Sequence, residues 1–160
     1  MRFGRIYLDS NILIRAFEAS PDDDTARDII DMLGQEFAKT DKAFVTSQIT
    51  LAEVLVHPIR KGDTFLQHQY GSLLSTPSPW IDIRPIDAPI LHLAARLRAS
   101  TRLKLPDAIH AATALQTKCS HLLTLDSDFD VNLVGAWPSW PQQIHPAKDV
   151  LAAIIAWLRA

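Results

Sequence analysis

The stretch IYLDSNILIRAFEA (residues 6–19) joins a short apolar run, which ends in Asp9, to a segment with apolar residues at helical spacing. The apolar run predicts a buried strand, and the 3.6-residue period predicts a helix over 11–19. The same alternation recurs along the chain, and repeated strand–helix units favour a parallel sheet with helices on both faces. The sequence therefore predicts an α/β fold, a three-layer α/β/α domain with a central, mainly parallel sheet of about four to five strands. Residues 1–160 are expected to form a single domain.

Turn and capping residues divide the rest of the chain into further elements. Apolar runs predict strands over 43–46, 80–83, 121–125 and 143–145. Capping residues and apolar periodicity predict helices over 22–33, 47–57, 63–74, 87–99, 106–118 and from 147 onward. We expect Ser47 to cap the second of these helices and Pro58 to end it, because proline lacks the N–H group that a helix interior needs.

The composition is that of a globular protein, with 48% apolar and 21% charged residues. The formal net charge of -2 gives no overall basic field, so any binding of a nucleic acid must rely on a local basic patch. The single cysteine, Cys119, predicts a buried core residue and a reduced, cytoplasmic setting. We expect no signal peptide and no membrane association, because the longest apolar run (VLAAIIAW, 150–157) is far shorter than the roughly 20 residues of a membrane span.

Four acidic residues are the candidates for catalysis. Asp9 and Asp126 follow predicted strands, and ligands of α/β sheets bind beyond the carboxyl ends of the strands. Glu53 has Ile49 and Val56 as helical neighbours, which places its carboxylate on an apolar face where it must pair, protonate or meet a cation. Asp107 lies in the first turn of its helix, where the helix dipole favours a carboxylate.

Each of these acids also has an ordinary interpretation. A strand-end aspartate such as Asp9 can cap a helix or stabilise a turn. Glu53 can pair with a buried arginine or form a capping box with Thr50, and Asp107 can simply be a first-turn acid. Taken together, four carboxylates at one rim would repel one another unless a divalent cation neutralised them. Oxygen ligands favour Mg²⁺ or Mn²⁺, and no His/Cys spacing favours zinc.

Four segments carry a family resemblance, namely YLDSNILI (7–14), SQITLAEVL (47–55), KLPDAIHAATAL (104–115) and LLTLDSDF (122–129). In these segments the sequence resembles PIN domains, and most of all the toxin ribonucleases of VapBC-type toxin–antitoxin pairs. The resemblance implies an Mg²⁺- or Mn²⁺-dependent endoribonuclease with an RNA substrate, a cognate antitoxin that blocks the acidic cleft, and a homodimer. The alternative is a PIN scaffold that binds RNA or a protein without cutting.

The resemblance also implies roles for individual residues. Asp9, Asp107 and Asp126 would hold one or two metal ions, and Glu53 would orient or deprotonate the attacking water. The polar residues beside them would contact the acids or the waters of the metal; they are Ser10, Asn11 and Thr124. Leu125 stands where these domains usually have an asparagine, and the neighbouring Asp128 is a candidate to share or replace the role of Asp126.

The remaining polar and aromatic residues leave alternatives open. The basic residues before Asp107 can hold RNA phosphates or form a solvated surface; they are Arg96, Arg98, Arg102 and Lys104. His110 is expected only to pack or to touch the rim of the site, because the six histidines show no pattern for acid–base catalysis. Trp137 and Trp140 can stack on bases, cover a sheet edge or form a dimer contact. A haloacid-dehalogenase-like phosphatase is disfavoured because it requires an aspartate where Asn11 stands.

Overall fold

The computed structural model describes residues 2–126, 137 and 139–160. The described residues form five strands and seven helices, which follow one another as β1 (Ile6–Leu8), α1 (Ser10–Glu18), α2 (Asp24–Gly34), β2 (Phe44–Ser47), α3 (Ile49–Lys61), α4 (Thr64–Leu73), β3 (Asp82–Arg84), α5 (Ala88–Ser100), α6 (Leu105–Gln116), β4 (His121–Leu123), β5 (Gln142–Ile144) and α7 (Lys148–Arg159). The strands lie in the order β3-β2-β1-β4-β5, and every neighbouring pair is parallel. The α/β fold class expected from the sequence is confirmed.

The central strand β1 separates two hydrophobic cores. Ile6 and Leu8 point into a core shared with α1, α2, α4 and α7, whereas Tyr7 points into a core shared with α5 and α6. Alternate residues of a strand face opposite sides of the sheet. All three residues of β1 are buried, so both faces of this strand are covered by helices and both must be apolar. The three layers of the fold follow from this division.

Aspartate caps fix the start of three helices. The carboxylates of Asp23, Asp63 and Asp87 accept hydrogen bonds from backbone N–H groups in the first turns of α2, α4 and α5, at 3.0, 2.9 and 3.0 Å. Each cap satisfies a donor that the helix itself leaves unpaired, which stabilises the helix by about 1 kcal/mol. These starts agree with the sequence prediction to within one or two residues because a cap depends only on local sequence.

The expected end of α3 at His57 is wrong. The helix continues through the buried Pro58 to Lys61 and ends at Gly62, which adopts a left-handed φ of 66°. The N–H of Gly62 donates to the carbonyl of Ile59 at 3.1 Å, and the N–H of Asp63 donates to the carbonyl of Pro58 at 2.9 Å. A left-handed glycine that satisfies the last carbonyls ends a helix more effectively than a proline that removes a single donor.

Gly62 allows a direct test of this helix end. We expect Gly62→Ala to lower the free energy of unfolding by about 1 kcal/mol, because alanine is disfavoured in the left-handed conformation. A Cβ atom there would meet no described atom within 4 Å beyond the chain neighbours, so backbone strain alone would be measured. Gly71 in α4 is the matched control, since its Cβ is equally unopposed. Gly71→Ala should raise stability by about 0.5–1 kcal/mol in urea unfolding, and shifts of the same sign would contradict the interpretation.

The carboxyl ends of β1 and β4 lie side by side, with Leu8 paired to Leu123. Asp9 and Thr124 follow these strands directly, so the parallel topology brings residues that are far apart in sequence to one edge of the sheet. None of the described helices is long and apolar enough to span a membrane.

Candidate active site

Asp9 is held by hydrogen bonds from three neighbouring side chains. Its Oδ2 accepts hydrogen bonds from Thr124 Oγ1 at 2.6 Å and from Asn11 Nδ2 at 2.8 Å, and its Oδ1 accepts a longer one from Ser10 Oγ at 3.4 Å. The residue is only 6% exposed, and its side chain makes no capping hydrogen bond to α1. Asp9 therefore occupies the N-cap position of α1 without capping the helix through its side chain, and its carboxylate is fixed at the carboxyl end of β1.

Asn11 and Thr124 connect the start of α1 to the segment that follows β4. Asn11 Nδ2 donates to Thr124 Oγ1 at 3.0 Å, and Asn11 Oδ1 accepts from the backbone N–H of Leu125 at 3.1 Å. The backbone N–H of Asp126 donates to Thr124 Oγ1 at 3.0 Å. Because Leu125 uses only its backbone and its side chain is 41% exposed, a leucine at this position leaves these hydrogen bonds intact. Asp128 lies outside the described residues.

Glu53 is paired with a histidine rather than an arginine. His110 Nε2 lies 2.7 Å from Glu53 Oε2 and 3.9 Å from Asp9 Oδ1. The prediction that Glu53 lies on an apolar face of its helix is wrong in part, because Val56, one of the two neighbours that define this face, is 43% exposed. The buried face of α3 consists of Thr50, Val54 and Pro58, and the half-buried Glu53 lies beside it.

His110 lies at the centre of the site and not at its rim. The imidazole is only 1% exposed, and its Nδ1 lies 2.7 Å from the hydroxyl of Tyr7. Sequence reasoning did not identify Tyr7 and gave His110 only a packing or rim position, although one signal for a larger role of His110 was present. His110 follows Asp107 by three positions on α6, and residues three apart lie on the same face of a helix.

The charges of the other three acids affect the pKa of Asp107. Burial raises the pKa of Asp107, and the charges of Asp9, Asp126 and Glu53 raise it further against the opposing effect of His110. Burial also raises the pKa of Glu53, but the hydrogen bond and charge of His110 outweigh this effect, and the pKa is lowered overall. The structure thus brings Asp107 within electrostatic reach of the other three candidate acids.

The donor chemistry of this cluster fits a hard divalent cation. The acids offer only oxygen ligands, and no described residue donates a hydrogen bond to the carboxylate of Asp107. In the part of the chain that the structure describes, however, no three acidic, histidine or cysteine side chains form a ready ligand set. Asp9 and Asp126 lie within electrostatic reach of Asp107, and an ion held by these three acids stays a prediction.

The basic and aromatic residues divide between the surface and the core. Arg102 and Lys104 are exposed in the α5–α6 connection, and Lys104 is the residue at the N-cap of α6. Arg96 lies over the ring of Trp137, with 5.9 Å between its guanidinium carbon and the ring centroid. Trp137 and Trp140 are partly buried against the core formed by α5 and α6, and their role in base stacking, sheet-edge covering or dimer contact stays a prediction. Cys119 is buried in the same core, as expected.

Comparison with known families identifies the fold. The PIN domain model matches residues 6–132, which is most of the chain. The chain belongs to the PIN domain family. The resemblance drawn from the four sequence segments is thereby confirmed. No curated protein matches this PIN domain.

Several solved structures similar to this PIN domain are toxins or toxin–antitoxin complexes. A chain of a toxin–antitoxin complex from Klebsiella pneumoniae is 25% identical, with a TM-score of 0.60 over 89% of this chain and 98% of its own. Mycobacterium tuberculosis VapC20, a toxin that cleaves the sarcin–ricin loop, is 15% identical, with a TM-score of 0.59 over 78% of this chain and 92% of its own. A chain of Rickettsia felis VapBC2, bound to a promoter DNA fragment, is 19% identical, with a TM-score of 0.55 over 88% of this chain and 97% of its own.

Proposed function

We propose that this PIN domain is an Mg²⁺- or Mn²⁺-dependent endoribonuclease and the toxin of a toxin–antitoxin pair. The observation that carries the proposal is the clustering of acids, in which the charges of Asp9, Asp126 and Glu53 raise the pKa of Asp107 beyond the effect of burial. A module that only binds RNA gains nothing from negative charge next to phosphate, whereas a metal-dependent nuclease requires it.

The residues of the site divide the work of hydrolysis. A bound ion would polarise the scissile phosphate and lower the pKa of a water molecule. Asp9, Asp107 and Asp126 would hold the ion, and the hydrogen bonds to Asp9 keep that carboxylate in a fixed orientation. Glu53 is ionised at neutral pH because its pKa is lowered, and it would accept the proton of the attacking water. The water oxygen would bond to phosphorus as the bond to the 3′-oxygen breaks, and the departing 3′-oxygen would take a proton from solvent, which leaves a 5′-phosphate and a 3′-hydroxyl.

The proposal includes protein partners. The similarity to a chain of the Klebsiella pneumoniae toxin–antitoxin complex supports a cognate antitoxin, which would cover the acidic cleft. We also propose a homodimer in the cytoplasm. Light scattering of the protein alone and with the product of a neighbouring short reading frame would measure both assemblies.

Cleavage of a panel of tRNA, rRNA and mRNA tests the activity. We expect cutting with Mg²⁺ or Mn²⁺ and none in EDTA. Glu53→Gln should lower the rate at least about 100-fold, because glutamine can still accept the hydrogen bond from His110 but cannot take up a proton. Asp31→Asn, which changes an exposed acid of α2, should leave the rate unchanged. RNA binding without any cutting would instead support the non-cutting PIN scaffold, and equal cutting in EDTA would exclude metal dependence.

Arg102 and Lys104 are tested separately through the salt dependence of RNA binding. If both contact phosphates, Arg102→Ala/Lys104→Ala should reduce the slope of log affinity against log salt by about 1.4, at about 0.7 per contact with a single strand. Arg60→Ala/Lys61→Ala is the matched control, because this exposed pair lies at the far end of α3. Equal slopes for the two double variants would assign Arg102 and Lys104 to a solvated surface.

A further inference from the structure

The segment that carries Asp126 is held by side chains from three parts of the fold. Asn11 Oδ1, at the start of α1, accepts the N–H of Leu125 at 3.1 Å, and Thr124 Oγ1 accepts the N–H of Asp126 at 3.0 Å. Gln143 Nε2, from β5, donates to the carbonyl oxygen of Asp126 at 2.5 Å. Because a carbonyl oxygen can only accept, the group of Gln143 that faces it is the amide N–H. The edge strand β5 thus contributes a side chain to the site.

The hydrogen bond from Gln143 requires the chain to turn back after β4. Gln143 lies opposite Leu122 in the parallel ladder, and Asp126 is four residues further along the chain than Leu122. In an extended strand Asp126 would lie about 13 Å beyond Leu122, at about 3.3 Å per residue. Its carbonyl is nevertheless bound by Gln143, so the chain folds over the carboxyl end of β4. The side chain of Leu125 cannot form a hydrogen bond, so polar side chains of other segments hold this turn.

Hydrogen bonds to both peptide groups of Asp126 determine where its side chain points. A residue has two soft backbone angles, φ and ψ, and the peptide groups on either side of its Cα atom are planar. The N–H of Asp126 is bound by Thr124 and its carbonyl by Gln143, so the first hydrogen bond restricts φ and the second restricts ψ. The direction of the Cα–Cβ bond follows from these two peptide planes.

We propose that Gln143 is a positioning residue, which orients the carboxylate of Asp126 by fixing the peptide group that follows it. Its role in catalysis rests on the proposed function, in which Asp126 would help to hold a divalent ion. The orientation itself can be measured without metal and without RNA. The competing explanation is that a glutamine on an edge strand merely keeps that edge solvated. The half-buried Gln143 and the exposed Gln142 are adjacent on β5, so the two explanations can be compared within one strand.

Amide hydrogen exchange, followed by nuclear magnetic resonance in EDTA, tests the orientation. Gln143→Met keeps the length of the side chain and removes its N–H donor. We expect the N–H groups of Leu125 and Asp126 to exchange about 2- to 10-fold faster in this variant, the factor that corresponds to one neutral hydrogen bond. Gln142→Met is the matched control, because adjacent residues of a strand point to opposite faces, and it should leave both rates unchanged. Unchanged rates in Gln143→Met, or an equal acceleration at Tyr7 in β1, would overturn the proposal.

The unsubstituted protein offers a measurement that does not depend on a variant. The side-chain amide of Gln143, which binds the carbonyl of Asp126, should exchange more slowly than that of the exposed Gln142. Equal exchange at the two side chains would show that the hydrogen bond from Gln143 does not persist in solution, and the proposal would be rejected.

The metal requirement tests whether Gln143 acts through Asp126. In Gln143→Met, the Mg²⁺ concentration that gives half-maximal RNA cleavage should rise about 10-fold, as is typical when a residue that orients a metal ligand is lost. The KM for RNA should change little, and Gln142→Met should match the unsubstituted protein. Faster exchange at Asp126 with an unchanged Mg²⁺ requirement would reject the catalytic role. If the unsubstituted protein neither bound Mg²⁺ nor cut RNA, the proposed function would fail, and the exchange rates would still decide whether Gln143 orients Asp126.

Discussion

Asp107→Asn is expected to abolish Mg²⁺-dependent RNA cleavage and, in EDTA, to raise the melting temperature of the protein. A metal ligand contributes several kcal/mol of transition-state stabilisation, and about 1.4 kcal/mol corresponds to a tenfold change, so the rate should fall at least about 1000-fold. The gain in stability has a different cause. Asparagine removes a half-buried charge that lies in the field of Asp9, Asp126 and Glu53.

The gain in stability should be small, because solvent screens a partly exposed carboxylate. Exposed charge pairs contribute about 0.2–1 kcal/mol, which corresponds to a rise of up to about 2–4 °C in a protein of this size. Added Mg²⁺ should raise the melting temperature of the unsubstituted protein, because the ion binds the folded state, and should have little effect on Asp107→Asn. If Asp107→Asn melted below the unsubstituted protein in EDTA, the acids would not repel one another as proposed.

The pH dependence provides a second check on Asp107. Burial and the neighbouring acids raise its pKa in the folded state, so folding favours the protonated form. Its contribution to stability is fully present below the unfolded pKa of about 3.9 and is lost as the pH rises through the folded pKa. The advantage of Asp107→Asn should therefore be absent at low pH and largest above the folded pKa. Thermal unfolding in EDTA from acid to neutral pH would measure it, and an advantage that did not vary with pH would contradict the assignment.

The sequence predicted those features that depend on neighbouring residues. The strand–helix alternation yielded the parallel sheet, and Asp63 and Asp87 cap their helices as expected because a cap acts over three residues. The placement of Asp9 was equally accessible, because an acid that directly follows a strand of a parallel sheet must lie at its carboxyl edge.

The features that were not predicted depend on contacts between distant residues or on competing local signals. Glu53 and His110 are 57 positions apart, and only the packing of α3 near α6 makes His110 the partner of the carboxylate. The predicted end of α3 was wrong because Pro58 and Gly62 both favour the end of a helix, and the helix ends at the left-handed Gly62. The packing of Trp137 likewise depends on the core that α5 and α6 form.

Asp9→Asn is expected to abolish cleavage as completely as Asp107→Asn while changing stability in the opposite direction. Asp9 accepts charge-assisted hydrogen bonds from Thr124 and Asn11 at 2.6 and 2.8 Å in a site that is 6% exposed. An asparagine removes the charge, so the hydrogen bonds from Thr124 and Asn11 become neutral ones even where the amide oxygen accepts both. Hydrogen bonds to charged groups contribute about 1.5–3 kcal/mol each, so we expect a net loss of about 2 kcal/mol and a fall of about 4–8 °C in melting temperature.

Asp9→Asn and Asp107→Asn are expected to differ in stability although both lose activity, so stability distinguishes the roles of the two acids. Both variants should be inactive with Mg²⁺, so urea unfolding in EDTA is the measurement that distinguishes them. Thr124→Val is a further check, because it removes the 2.6 Å donor to Asp9 and keeps the charge of the acid. It should destabilise the protein by about 1 kcal/mol or more, since the N–H of Asp126 also loses its acceptor. If Asp9→Asn were as stable as the unsubstituted protein, repulsion among the acids would outweigh the hydrogen bonds at Asp9 as well. Asp9 would then resemble Asp107, an acid destabilised by its neighbours, and would not be a fixed anchor of the site.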